Sequence, residues 1–118
     1  MEMNIRELKI SKIIGCETAV SSDDGEIVFK DIVDSIKDNH IAELDFSDIS
    51  ILTTAFLNSA IGQLYNTYTS NELNTFIRLK NVADEDKILF KKVIERAKEY
   101  FADKKNFEDS ANGAIYGS

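Results

Sequence analysis

Apolar residues fall along this chain in two rhythms, short dense runs and longer stretches at helical spacing. The first segment sets Ile5, Leu8, Ile10, Ile13 and Ile14 among charged neighbours, which predicts an early strand from Ile5 to Ile14 with a bend, ending at Gly15. Ser21-Ser22-Asp23-Asp24 then brings together capping oxygens and negative charge, the chemistry of a helix start. Val28, Ile32, Val33 and Ile36 recur every few residues as far as Lys37, so an amphipathic helix follows.

From Ile41 to Phe46 the chain is apolar and short, the length of a core strand, and Ser47 and Asp48 supply side-chain oxygens for a turn after it. After Ile49 to Leu52, Thr53 or Thr54 can accept a hydrogen bond from a free N–H of the next helix. That helix carries Phe56, Leu57, Ala60, Ile61, Leu64, Tyr65 and Tyr68, a stripe broad enough to cover a sheet face. Gly62 lies inside it, where glycine costs about 1 kcal/mol relative to alanine, and so is expected at a close approach to the sheet or to another backbone. A strand from Thr75 to Leu79 follows. Asp84-Glu85-Asp86 opens the last helix, with Ile88, Leu89, Val93, Ile94, Ala97 and Phe101 as its apolar positions and Lys91, Lys92, Arg96 and Lys98 further along.

Strands alternating with helices predict a small α/β domain, a mixed or mostly parallel sheet with about three helices packed on it. One domain is expected over residues 1–104, and a polar, glycine-bearing tail that frays over 105–118. The chain has no proline, and no repeat or linker interrupts it.

Composition narrows the function. In 118 residues, 43% apolar, there is material for one core. Against 14 basic residues stand 21 acidic ones, and the net charge of -7 repels phosphate backbones and anionic lipid, so neither nucleic acid nor a membrane surface is an expected partner. No apolar run approaches the roughly 18 residues of a membrane span, and Met1-Glu2-Met3-Asn4 does not open a signal peptide, so a cytoplasmic location is expected. The single cysteine, Cys16, excludes an internal disulfide and a multi-cysteine zinc site. It is expected as a small buried thiol beside a strand end.

Catalytic groups are scarce. A nucleophile needs a base within hydrogen-bond reach, and the only histidine, His40, sits at a helix-to-strand junction where a solvent-facing turn residue is expected. Phosphate-cradling glycine spacings are absent, so no cofactor is implied. Asp23-Asp24 and Asp84-Glu85-Asp86 could bind a hard cation, but each stands at a helix start, where the helix dipole accounts for it. Tyr65 and Tyr68 read as core or interface residues rather than stacking platforms for bases. The chain therefore offers no catalytic or metal-ligating set, and an enzyme is not expected.

The segment Leu44-Asp45-Phe46-Ser47-Asp48-Ile49-Ser50-Ile51-Leu52-Thr53-Thr54-Ala55-Phe56-Leu57, continuing through Asn58 to Gly62 and Leu64, resembles the centre of STAS domains. That family includes the antagonists of bacterial anti-sigma factors, in which such a strand leads to an Asp-Ser-Ser/Thr-Gly-like segment that opens a helix and is phosphorylated. Ungapped, Thr54 falls on the phosphoacceptor. Thr53 stands where the family usually has aspartate, and Phe56 where it has glycine. With Asn58, Gly62 and the later Ile77-Arg78-Leu79-Lys80-Asn81-Val82, this looks closer to a divergent STAS-like family of bacterial and phage proteins with no assigned function. The resemblance covers about Ser21 to Phe101.

It implies a protein-binding regulatory module whose partner, a histidine-kinase-like ATPase or an anti-sigma-like regulator, docks on Ser47, Asp48, Ser50, Thr53, Thr54 and Asn58. Thr54, or else Thr53, is then the phosphoacceptor, whereas plain N-capping is the competing role for both hydroxyls. Two other readings stand beside it: a small-ligand sensor, and the non-catalytic partner of an ATPase or enzyme encoded nearby. A homodimer is compatible with each.

Overall fold

The run Ile41–Asp45 forms the central strand of a parallel sheet in a computed structural model that describes residues 3–115 and, for side chains, residues 3–102. On one side of this strand, β3, lies β1 (Ile5–Lys9), and on the other β5 (Ile77–Lys80), both parallel to it. A separate two-residue pair joins β2 (Thr18–Ala19) to β4 (Ile51–Leu52), again in parallel. Parallel neighbours need crossovers. The helices supply them: α2 (Ser22–Lys37) before β3, then α3 (Thr54–Ala60), a 3-10 turn (Gly62–Asn66) and α4 (Ser70–Phe76) before β5; α5 (Asp84–Ile115) follows the last strand. The fold is a small α/β domain built on parallel strands, as the alternation of strands and helices predicts.

The register fixes what each sheet face carries. Leu8, Leu44 and Leu79 align across the three strands, and so do Arg6, Ala42 and Ile77. Leu8, Ala42 and Leu44 are buried with Val28 and Ile32 of α2, Phe56 and Leu57 of α3, Leu64, and Phe90 and Val93 of α5. The other face aligns Glu7, Glu43 and Arg78, then Lys9, Asp45 and Lys80. It is laced by ion pairs instead of a second core: Lys80 Nζ reaches Glu7 at 3.4 Å and Glu43 at 3.8 Å.

Five expectations are corrected. The strand expected from Ile5 to Ile14 ends at Lys9, and Ile10–Ile14 is a short helix, α1, stopped by Gly15 in the left-handed conformation. The helix expected to run from Thr54 through Tyr68 is three pieces, because α3 ends at Ala60 with Ile61 stretched to φ -119°, the chain tightens into the 3-10 turn, and Thr69 starts α4 with its own capping box to Glu72. The strand expected at Thr75 begins at Ile77, since α4 holds the chain through Phe76. Cys16 is exposed, its thiol turned to the Thr18 carbonyl at 3.2 Å. His40 is half-buried, its Nδ1 3.2 Å from the Arg6 guanidinium, which also pairs with Asp38.

In α2, Ser21 caps the first turn by accepting from the Asp24 N–H at 3.1 Å, as the spacing predicts. The acidic residues Asp84, Glu85 and Asp86 occupy the first turn of α5. In that helix Phe90, Val93 and Ala97 are buried, and Ile88 faces solvent. Its backbone continues to Ile115.

Candidate functional site

The start of α3 is assembled from two strands that are far apart in sequence. β4 delivers the chain to Thr53, and β2 lies beside it with Thr18 opposite Ile51 and Ala19 opposite Leu52. The pairing continues one residue further, where the Thr53 N–H donates to the Ala19 carbonyl at 3.1 Å. Thr53 Oγ1 then donates to the Val20 carbonyl at 2.7 Å and accepts from the Phe56 N–H at 3.2 Å. Its proton is committed to one bond and a lone pair to another. Thr53 is a cap and a clamp, chemistry that leaves its oxygen poorly placed as a nucleophile toward phosphate.

Thr54 differs. It is the first helical residue, half-buried, and its hydroxyl makes no hydrogen bond among the described residues. Around it the surface is mixed. Ala55 and Asn58 are exposed on α3, and Ser50 is exposed on the approach, with its N–H and Oγ both turned to the Glu17 carbonyl at 2.8 and 3.3 Å. Val20 and Ile51 complete the surface. Alternation along the β2–β4 pair puts Ala19 and Leu52 inward and Thr18, Val20 and Ile51 outward, and Val20 and Ile51 are 42% and 53% exposed. Two branched apolar side chains thus stand in water beside the helix start. Their exposure was not legible in the sequence, which gave no sign that residues 18–19 form a strand or which face of Ile51 is outward.

What holds α3 in place is a contact of backbone on backbone. A methyl group added at Gly25 in α2 would lie 2.5 Å from the Phe56 carbonyl oxygen and 2.6 Å from Ser59 Cβ, so only glycine lets the two helices meet so closely. Gly62, for which the sequence predicts that role, has room: the nearest atoms to such a methyl are 3.6 Å away. Gln63 adds a polar tie, its amide donating to Glu26 Oε1 at 3.0 Å and to the Ser59 carbonyl at 2.9 Å.

Ser47 and Asp48 belong to a different cluster, at the carboxyl end of the three-stranded sheet. Asp45 Oδ1 accepts from the Ser47 N–H and from Asn81 Nδ2, each at 2.9 Å. These two donors, Asn81 first, hold the Asp45 carboxyl below its ordinary pKa against a small opposing effect of burial. Asp48 and Asn81 both take positive φ, 66° and 58°, which closes the turns that bring them in. Asp48 then pairs with Lys9 at 3.0 Å, and this hydrogen bond, with the attraction of the charge, raises the Lys9 pKa. Of the residues expected to bind a partner, Ser50, Thr53, Thr54 and Asn58 share the α3 start, whereas Ser47 and Asp48 close a turn at the sheet end. Among the described residues no three His, Cys, Asp or Glu side chains converge as a metal site, and no helix is long and apolar enough to cross a membrane.

Comparison with known proteins bears on the same segment. A family model, DUF4325, described as a STAS-like domain of unknown function, matches residues 24–87, more than half of the 118-residue chain, from the first turn of α2 into the first turn of α5. No curated protein and no solved structure matches the chain.

Proposed function

The chain belongs to the DUF4325 family of STAS-like domains, and on that premise we propose that it is a non-catalytic regulatory module that docks another protein over the start of α3, with phosphorylation of Thr54 as the switch. The observation that carries this reading is the contrast between two adjacent hydroxyls. Thr53 is used up in holding the backbone, and Thr54 is left uncommitted next to the exposed Val20 and Ile51.

A phosphate on Thr54 would add about -1.5 to -2 charges at a helix start, where the nearest peptide N–H groups tolerate them. The fold would survive, because Thr53, not Thr54, makes the cap. A protein seated on Val20 and Ile51 would meet that charge in a desolvated contact, at a cost of a few kcal/mol, or about a hundredfold in affinity. The partner in this reading is an anti-sigma-like regulator or a histidine-kinase-like ATPase, proposed from the resemblance of the Leu44 to Leu64 segment to anti-sigma factor antagonists.

The test is affinity capture from native lysate with four baits: wild type, Thr54→Ala, Thr54→Glu and Ile51→Glu. Support is a protein retained by wild type and Thr54→Ala and lost from the other two. The reading fails if all four baits retain the same proteins.

A further inference from the structure

The sheet stops at β5. Among the described residues no strand pairs with its outer side, since the strand order is β1-β3-β5. The Lys80 carbonyl accepts from the Phe46 N–H at 3.0 Å, so residue 80 points its backbone groups at β3. Direction alternates along a parallel ladder, and the N–H and C=O of Leu79 therefore face away from the sheet, at its open edge. The Leu79 side chain, 43% exposed, lines two cavities there. One, of about 470 Å³, is also lined by Asn81, Val82, Lys87 and Phe90, and the other, of about 120 Å³, by Tyr65, Leu73, Ile77 and Ile94 among others.

An unpaired strand edge beside an apolar groove is the form of site that takes an added strand. Charge then selects the strand. A residue lying opposite Leu79 would project its side chain into the groove against Val82 and Phe90. Its neighbour, opposite Arg78, would project onto the polar face. Lys80 leans inward over that face to Glu43 and Glu7, which leaves Arg78 as the cation of β5 with no ion pair among the described residues. We propose that the open edge of β5 binds an extended peptide segment of a partner protein as a fourth strand, recognising an acidic residue directly beside a large apolar one. This site shares no residue with the Thr54 surface and does not depend on it.

The probe is a displayed library of unconstrained decapeptides, selected on the full chain and counter-selected on Arg78→Glu. Arg78 is exposed, so that variant should keep the fold, which its circular dichroism and melting curve verify. The expected result is a set of peptides enriched in adjacent acidic and large apolar residues. They should lose at least about tenfold in affinity on Arg78→Glu, recover it when their acidic residue is changed to lysine, and slow amide exchange at Leu79. The proposal is overturned if nothing is enriched, or if the enriched peptides lack that pair or bind Arg78→Glu equally well. It is also overturned if the edge self-associates, seen as a dimer in sedimentation that Arg78→Glu dissolves, or if only small molecules raise the melting temperature through the Phe90 cavity.

Discussion

Gly25 and Phe56 meet so closely that a single methyl group cannot pass between α2 and the carbonyl of the first turn of α3. The position of the Thr54 surface depends on that contact. Gly25→Ala should therefore destabilise the fold by about 1–3 kcal/mol, as overpacking does when backbone must move. Gly62→Ala is the control. With ordinary van der Waals room and no positive φ, it should be neutral or stabilising by up to about 1 kcal/mol. Urea unfolding of both variants checks the pair, and equal effects would contradict the packing described for α2 and α3.

The two threonines should separate cleanly in stability. Thr53→Ala removes a cap and the clamp to Val20, and should cost about 1–2 kcal/mol. Thr54→Ala removes a hydroxyl with no partner among the described residues and should change unfolding by less than about 0.5 kcal/mol. Chemical denaturation measures both.

Asp45 links stability to pH. Its folded-state pKa is lowered, by Asn81 and then by Ser47, so its carboxylate stabilises the fold at neutral pH. That contribution is fully present above the unfolded value of about 3.9 and is lost as pH falls through the lower folded value. Asp45→Asn should cost about 1 kcal/mol at pH 7, since the carboxyl lies near solvent, and the difference from wild type should shrink below about pH 4. Asp31 works in the opposite sense. Burial and then the charge of Asp34 raise its pKa, so its ionised form costs stability at neutral pH and that cost is relieved as pH falls through the raised folded value. Asp31→Asn should be slightly more stable than wild type at pH 7, measured by the same unfolding series.

Ser35 is fully buried in α2, and its hydroxyl has no hydrogen-bond partner among the described residues. An unsatisfied buried hydroxyl is a cost that removal relieves. Ser35→Ala should leave stability unchanged or raise it by up to about 1 kcal/mol, read from thermal melting.

The elements that periodicity announces are those whose burial follows from their own spacing. Val28, Ile32 and Ile36 mark one face of α2, and the apolar run from Ile41 marks β3, the strand buried between two neighbours. The site was legible in part, because the hydroxyl pair before Phe56 announces a helix start whatever surrounds it. Which of the two caps was not legible, since the choice rests on Val20, brought in by a strand of two residues with no pattern of its own. The break after Ala60 was hidden by an apolar stripe that carries on through Tyr68, although Thr69 and Glu72 spell a capping box in plain sequence. Gly25 and Gly62 look alike in a sequence. Only the crossing of α2 over α3 tells which of them has no room for a side chain.

The most direct measurement is calorimetric titration of the captured partner against two forms of the chain, unmodified and carrying phosphothreonine at position 54. A dissociation constant weakened about a hundredfold by the phosphate, with the melting temperature unchanged, is the expected result. Equal affinity for the two forms would contradict the account.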